Sequence, residues 1–126
     1  MRKLTNTTII SLLWALLVCL ATIAASQTKI PKYSTSEARH HEGEYATVRG
    51  TVYQVFVSRK GTVFFDIDGV YPNQPFAAVI FKGDVAHFPD VSRYQGATAE
   101  ITGVIRMYQG RPEVILKSPK QIKVIR

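Results

Sequence analysis

The strongest pattern along the chain is a series of segments in which apolar and polar residues alternate, which is the period of a half-buried β-strand. Strand 1 begins near Tyr45, and its residues Val48 and Val52 share one face. The apolar positions then continue at Val55 and Val57, which have the opposite parity. Because a slip of one residue in parity indicates a β-bulge, we expect strand 1 to bend between these two pairs.

The second alternating segment runs from Thr62 to Asp68. Val63, Phe65 and Ile67 fall on one face and are predicted to lie in the core. Phe64 is left on the outer face of the strand. Either a ligand or the irregular loop that follows the strand could cover it there, and the pattern alone leaves both possibilities open.

The rest of the pattern predicts three more strands, one short helical segment between strands 3 and 4, and a final edge strand. The helical segment follows Lys82, with Asp84 as its expected N-cap, and Pro89 limits it to one or two turns. Its expected core-facing residues are Val85, Phe88 and Val91. The predicted strands run from Phe76 to Phe81, Thr98 to Tyr108, Pro112 to Lys117 and Gln121 to Ile125. An all-β fold follows.

Two long hairpins, formed by strands 1–2 and strands 4–5, have similar sequences. Each has a glycine inside its first strand, Gly50 or Gly103, where a missing side chain permits a bend. Each turn combines a glycine with positive charge, as Ser58-Arg-Lys-Gly61 and as Tyr108-Gln-Gly-Arg111.

From about Glu42 to Ile125 the chain resembles the OB-fold nucleic-acid-binding family. That family includes the anticodon-binding domains of class II aminoacyl-tRNA synthetases and OB domains of replication proteins. The resemblance is carried by Val48-x-Gly-x-Val52, Gly61-x-x-Phe-Phe-x-Ile67, Ile101-x-Gly-x-Ile105 and Tyr108-x-Gly-Arg-Pro-Glu-Val-Ile115. It implies a five-stranded Greek-key OB-fold barrel whose binding face lies between the strand 1–2 and strand 4–5 loops, which are the two basic turns here.

The N-terminal residues have the pattern of a secretory signal peptide. Arg2 and Lys3 precede an apolar run from Ile9 to Ala25, and Ala24-Ala25-Ser26 offers small residues for cleavage before Gln27. An uncleaved membrane anchor is the alternative. We therefore predict a signal peptide at 1–26, a flexible lead-in at 27–41 and an OB-fold domain at 42–126. The expected location is periplasmic or secreted after bacterial Sec export, with no stable membrane association once the signal is cleaved.

The net positive charge of the predicted mature chain favours an anionic binding partner. Residues 27–126 hold fourteen Lys or Arg and nine Asp or Glu, a net charge of +5. We expect non-enzymatic binding of nucleic acid, single-stranded DNA or RNA, with little sequence preference. The alternative is an exported OB-fold module that binds a periplasmic protein, a peptide, a glycan or a small ligand, since a fold does not fix a function.

Binding of single-stranded nucleic acid needs cations along the phosphates and aromatic faces on which bases stack. The residues nearest the expected face supply both. The cations are Arg49, Arg59, Lys60, Lys82, Arg106 and Arg111, and the aromatic candidates are Tyr53, Phe64, Tyr71 and Tyr108.

Candidate catalytic and metal-binding residues are few. His40-His41-Glu42 with Glu44 lacks a further histidine at ligand spacing, so a solvated pair is the favoured interpretation. Asp66 and Asp68 could form an acid/base or Mg²⁺ pair but lack a third group, and Asp68-Gly69 is typical of a turn. The sequence predicts no enzyme, no metal site and no cofactor.

Overall fold

The computed structural model describes residues 29–126, so the predicted signal peptide and the start of the lead-in lie outside the described residues. The described part is mostly β-sheet, as expected for an all-β protein. Its strands are β1 (Lys32–Ser34), β2 (Tyr45–Val57), β3 (Val63–Ile67), β4 (Phe76–Ile80), β5 (Thr98–Val104), β6 (Arg106–Tyr108), β7 (Arg111–Ile115) and β8 (Ile122–Val124). Within residues 29–126, no helix is long and apolar enough to cross a membrane.

All eight strands belong to one sheet with the order β6-β7-β4-β3-β2-β5-β8, and β1 pairs with β2. The prediction of five strands in a closed barrel is therefore corrected to eight strands in an open order. One cause is a break at Ile105, which divides the predicted fourth strand into β5 and β6. Ile105 is fully buried, and its backbone N–H donates to the Glu44 carbonyl at 2.9 Å. Because the chain turns at this corner, β5 pairs with β2 and β6 pairs with β7.

Strand β2 is long because it serves two sets of partners. Residues 45–51 pair with β5, and residues 52–57 pair with β3. The register shifts between Val52 and Gln54, which leaves Tyr53 as the extra residue. The bulge predicted from the parity slip is therefore confirmed.

The predicted flexible lead-in is partly wrong, because residues 32–41 belong to the folded part. Strand β1 pairs in parallel with residues 47–49 of β2, and the Thr47 N–H donates to the Pro31 carbonyl at 2.9 Å. Ala38 lies on a 3-10 turn, Ala38–His40, and is fully buried. The local sequence could not predict β1, because this strand has only three residues and its partner lies more than ten residues away along the chain.

The predicted helical segment consists of two 3-10 turns, Lys82–His87 and Val91–Tyr94. Phe88 between them is buried, as expected, while Val85 and Val91 pack against the core only in part. Asp84 is not the N-cap, because it lies within the first turn and no side chain caps that turn.

The core lies on the inner face of the curved sheet, and the alternation of β3 decides which residues enter it. Val63, Phe65 and Ile67 are buried there, as predicted. Gly103 of β5 lets the opposite strand approach, because a Cβ at this position would overlap the side chain of Val114 on β7. Because residues within 29–126 form a hydrophobic core with one another, we expect a chain beginning at Gln27 to fold on its own.

Candidate nucleic-acid interface

A groove of about 490 Å³ runs across the outer face of the sheet, on the side away from the core. Strands β2, β3, β4 and β7 form its floor, and the loop before β4 and the β6–β7 turn form its walls. The residues that line it are Gln54, Phe56, Phe64, Asp66, Tyr71, Gln74, Ala77, Tyr108, Gln109, Arg111, Pro112 and Glu113.

The strand register explains how distant residues meet in this groove. One row of paired positions crosses five strands as Gln54, Asp66, Ala77, Glu113 and Arg106. Because residues in register share a face of the sheet, all five point outward. Three strand-to-strand pairings are therefore needed to assemble the floor, and a fourth places Arg106 of β6 next to Glu113.

Aromatic side chains provide most of the apolar surface of the groove. Phe56 lies opposite Phe64 in the register, with ring centroids 6.3 Å apart and planes tilted by 31°. Phe56 is 52% exposed, Tyr108 55% and Tyr71 69%, whereas Phe64 is half-buried. Phe64 shares the groove with Tyr71 of the following loop, and that loop leaves it partly exposed. Contact of Phe64 with a ligand stays a prediction.

The floor of the groove carries two buried carboxylates. Arg106 donates from Nε and Nη2 to Glu113 Oε1 at 3.2 and 3.1 Å, which neutralises that pair. The same guanidinium lies 5.9 Å from the ring centroids of Phe81 and Tyr108. Arg106 therefore organises the aromatic wall, and its charge is already balanced by a partner.

Asp66, the other carboxylate, forms no such ion pair with any of residues 29–126. Burial raises the pKa of its carboxyl above the ordinary value, while a hydrogen bond from the Tyr71 N–H at 3.4 Å and the charge of Arg111 act in the opposite direction. The guanidinium of Arg111 lies over the Tyr71 ring at 5.1 Å from its centroid. The groove is thus aromatic, close to neutral overall, and polar at a few points.

The remaining predicted cations are grouped at the β2–β3 turn. Arg59 and Lys60 are exposed in that turn, which is closed by a hydrogen bond from the Gly61 N–H to the Ser58 carbonyl at 2.9 Å. The stem of Lys82 packs against Gly61, because a Cβ there would lie only 3.3 Å from Lys82 Cγ. Three of the predicted cations are therefore grouped at the turn that precedes β3.

Two predicted residues lie elsewhere. Arg49 is on the part of β2 that pairs with β5, opposite Glu100, and Tyr53 is the bulge residue. Neither lines the groove. Sequence reasoning predicted the bulge in strand 1 but not the change of partner from β5 to β3 at Val52, which separates these two residues from the groove.

Sequence reasoning also missed Phe56 and Gln74. Phe56 carries a signal that could have found it, because it has the opposite parity to Val55 and Val57 on the outer side of the bulge. Gln74 carries none, since it sits in an irregular loop. Its side chain is only 8% exposed, and its Oε1 has no hydrogen-bond partner within the described residues.

The other candidate groups have structural partners. Glu44 accepts hydrogen bonds from the Tyr33 hydroxyl at 2.7 Å and from His41, and these lower the pKa of its carboxyl. Asp68 adopts a φ of 60° at the end of β3 and accepts from Thr51 N–H at 2.8 Å. In the described range, 29–126, no three His, Cys, Asp or Glu side chains are grouped as a metal site.

Searches of known protein families and of curated proteins find no match. Solved structures do match. An asparaginyl-tRNA synthetase from Entamoeba histolytica has a TM-score of 0.54 at 21% identity, over 78% of this chain and 24% of that one. The asparaginyl-tRNA synthetase of Pyrococcus horikoshii has a TM-score of 0.51 at 18% identity, over 77% and 23%.

A lipoprotein from Klebsiella pneumoniae, to which nucleic-acid binding has been provisionally assigned, covers 98% of this chain and 100% of that one at 12% identity. Its TM-score of 0.44 is too low to support an argument. The chain spans about a quarter of the synthetases it matches. The similarity therefore establishes a shared, OB-like fold and leaves the activity of those enzymes aside.

Proposed function

We propose that this protein binds single-stranded nucleic acid, without catalysis and with little sequence preference, along the outer groove. One observation carries the proposal. Phe56, Phe64, Tyr71 and Tyr108 line a single groove whose wall includes Arg111 of the basic β6–β7 turn. The basic β2–β3 turn joins the two strands that carry Phe56 and Phe64. Proteins that bind single strands combine such aromatic faces with a cationic path for the backbone.

The aromatic residues would contact bases, and the cations at the rim would contact phosphates. Arg59 and Lys60 lie in the turn between the strands of Phe56 and Phe64, and Lys82 packs on Gly61 of that turn. These three cations are the expected phosphate contacts. Arg106 has a different role in this proposal, because Glu113 already balances its charge and its guanidinium supports the Tyr108 ring.

The comparisons support the nucleic-acid class of ligand only through the shared fold. The matched synthetases act on tRNA according to their names, and the sequence itself resembles the anticodon-binding domains of such enzymes. Export to the periplasm or beyond, expected from residues 1–26, is part of the proposal and would place the ligand outside the cytoplasm.

The test is a titration of the chain from Gln27 onward into a labelled single-stranded oligonucleotide, followed by fluorescence anisotropy at several salt concentrations. Arg59→Ala with Lys60→Ala should reduce the slope of log K against log salt by about 1.4, since each phosphate contact on a single strand contributes about 0.7.

The matched control removes two lysines away from the groove, Lys120 and Lys123, and should leave the slope unchanged. Equal slopes for the wild type and the Arg59/Lys60 variant would remove that turn from the phosphate path. If the folded wild type binds no oligonucleotide even at low salt, the proposal fails. The groove would then be tested with peptides and glycans, the ligands of the alternative function.

A further inference from the structure

A second cavity of about 270 Å³ adjoins the groove. Gln74, Arg111 and Pro112 line both cavities, so only these side chains separate them. Its other walls are the loop before β4 and residues 35–39 of the N-terminal segment. Two arginines line this cavity, Arg39 and Arg111, and no carboxylate among the described residues does.

Both guanidinium groups are available to a ligand. Within residues 29–126 neither Arg39 nor Arg111 forms a salt bridge, in contrast to Arg106, which Glu113 holds at 3.1 Å. The charge of Arg111 acts on the Asp66 carboxyl, but Asp66 lines only the neighbouring groove and not this cavity. The second cavity therefore has an excess of positive charge, whereas the charges of the groove nearly cancel.

The segment that presents Arg39 is fixed to the sheet. The Thr35 hydroxyl donates to Asp68 Oδ2 at 2.7 Å, and the other oxygen of that carboxylate accepts from the Thr51 N–H at 2.8 Å. Ala38, next to Arg39, is fully buried in the core. Because residues on both sides of it are anchored, the backbone at Arg39 is held beside the cavity.

We propose that this second cavity is a phosphate subsite. It would hold a backbone phosphate of the nucleic acid whose base lies in the groove, and it thus rests on the proposed function. Arginine matches phosphate because its planar fork of N–H groups can donate two parallel hydrogen bonds. Thr35, Ser36 and Asn73 add uncharged polar groups to the lining.

The position of Gln74 suits a ligand that spans both cavities. Its side chain lines both of them, and its buried Oε1 has no hydrogen-bond partner in the part of the chain that the structure describes. A buried amide oxygen is stabilised when a donor reaches it. A nucleotide that crosses this wall can bring an N–H group of its base to that point.

The experiment compares Arg39→Ala, Arg39→Lys and the control Lys123→Ala, using the chain from Gln27 onward. The probe is a labelled oligothymidylate of about 12 nucleotides, within the site sizes of OB-folds. Arg39→Ala should lower the salt slope by about 0.7, the value for one phosphate contact. Arg39→Lys should restore the slope, since it keeps the charge, and the control should match the wild type.

The outcomes separate this inference from the function on which it rests. If the wild type binds and Arg39→Ala has an unchanged slope, the subsite is refuted and the groove retains its function. If the wild type does not bind, the function fails, and thermal unfolding with inorganic phosphate decides the subsite. A rise in midpoint that Arg39→Ala abolishes would support an anion site independent of nucleic acid. If phosphate raises the midpoint equally in the wild type and in Arg39→Ala, or raises neither, the subsite is refuted.

Discussion

Replacing Phe64 by alanine tests the groove most directly. The residue lies on the outer face of β3, opposite Phe56 and half-buried, so part of its ring remains accessible to a ligand. Stacking of a base on an aromatic ring contributes about 1–3 kcal/mol by alanine substitution. Since 1.4 kcal/mol corresponds to about tenfold in affinity, Phe64→Ala should weaken oligonucleotide binding by roughly 5- to 150-fold.

The same substitution should lower the free energy of unfolding only slightly, and the neighbouring residue Phe65 provides the reference for this comparison. Phe65 points into the core and is fully buried, so Phe65→Ala is expected to lower the free energy of unfolding by about 3–5 kcal/mol. Phe64→Ala should cost clearly less, because part of its surface is exposed before the substitution. Urea denaturation of both variants measures the difference.

A third variant, Phe64→Leu, distinguishes stacking from simple apolar contact. Leucine keeps much of the apolar area and removes the π face, so anisotropy titrations should show a loss close to that of alanine if a base stacks there. Wild-type affinity in a folded Phe64→Ala protein would refute stacking at this position. Unfolding of that variant would show instead that Phe64 belongs to the core.

Two further substitutions test the polar groups of the groove by their effects on stability. Asp66→Asn should raise the thermal midpoint at pH 7, because burial raises the pKa of this carboxyl, and the ionised form therefore destabilises the folded state. The gain should vanish below about pH 4, near the pKa of an unfolded aspartate, and an equal gain at both pH values would contradict this cause. Gln74→Leu should raise the free energy of unfolding by about 1 kcal/mol in urea, since it removes a buried acceptor that finds no donor among residues 29–126. A loss of stability would show that the amide is satisfied in solution.

The sequence predicted those features that depend on alternation within one strand. The inward set of β3, the outward position of Phe64 and the bulge after Val52 all follow from parity, because each successive residue of a strand changes face. The two hairpin turns were likewise evident. Gln109 and Gly110 both have positive φ, the requirement of a two-residue hairpin turn.

Features that depend on pairing between distant segments could not be predicted in this way. Arg49 and Tyr53 were placed on the binding face because nothing in their neighbourhood shows that β2 exchanges β5 for β3. The fold of residues 32–41 depends on β2, and the corner at Ile105 depends on the backbone of Glu44. Gln74 reaches the groove only through the course of an irregular loop.

The parallel pairing of β4 with β7 determines at which stage of folding the outer groove can form. Strands β2, β3 and β4 form a meander of neighbouring antiparallel partners, but residues 77–79 must find residues 113–115 across a long intervening segment. Closing such a loop is slow compared with forming a hairpin. A nascent chain that ends before Arg111 therefore lacks both the floor strand β7 and the second wall. Binding competence should appear only at the last step of folding, after the meander has formed.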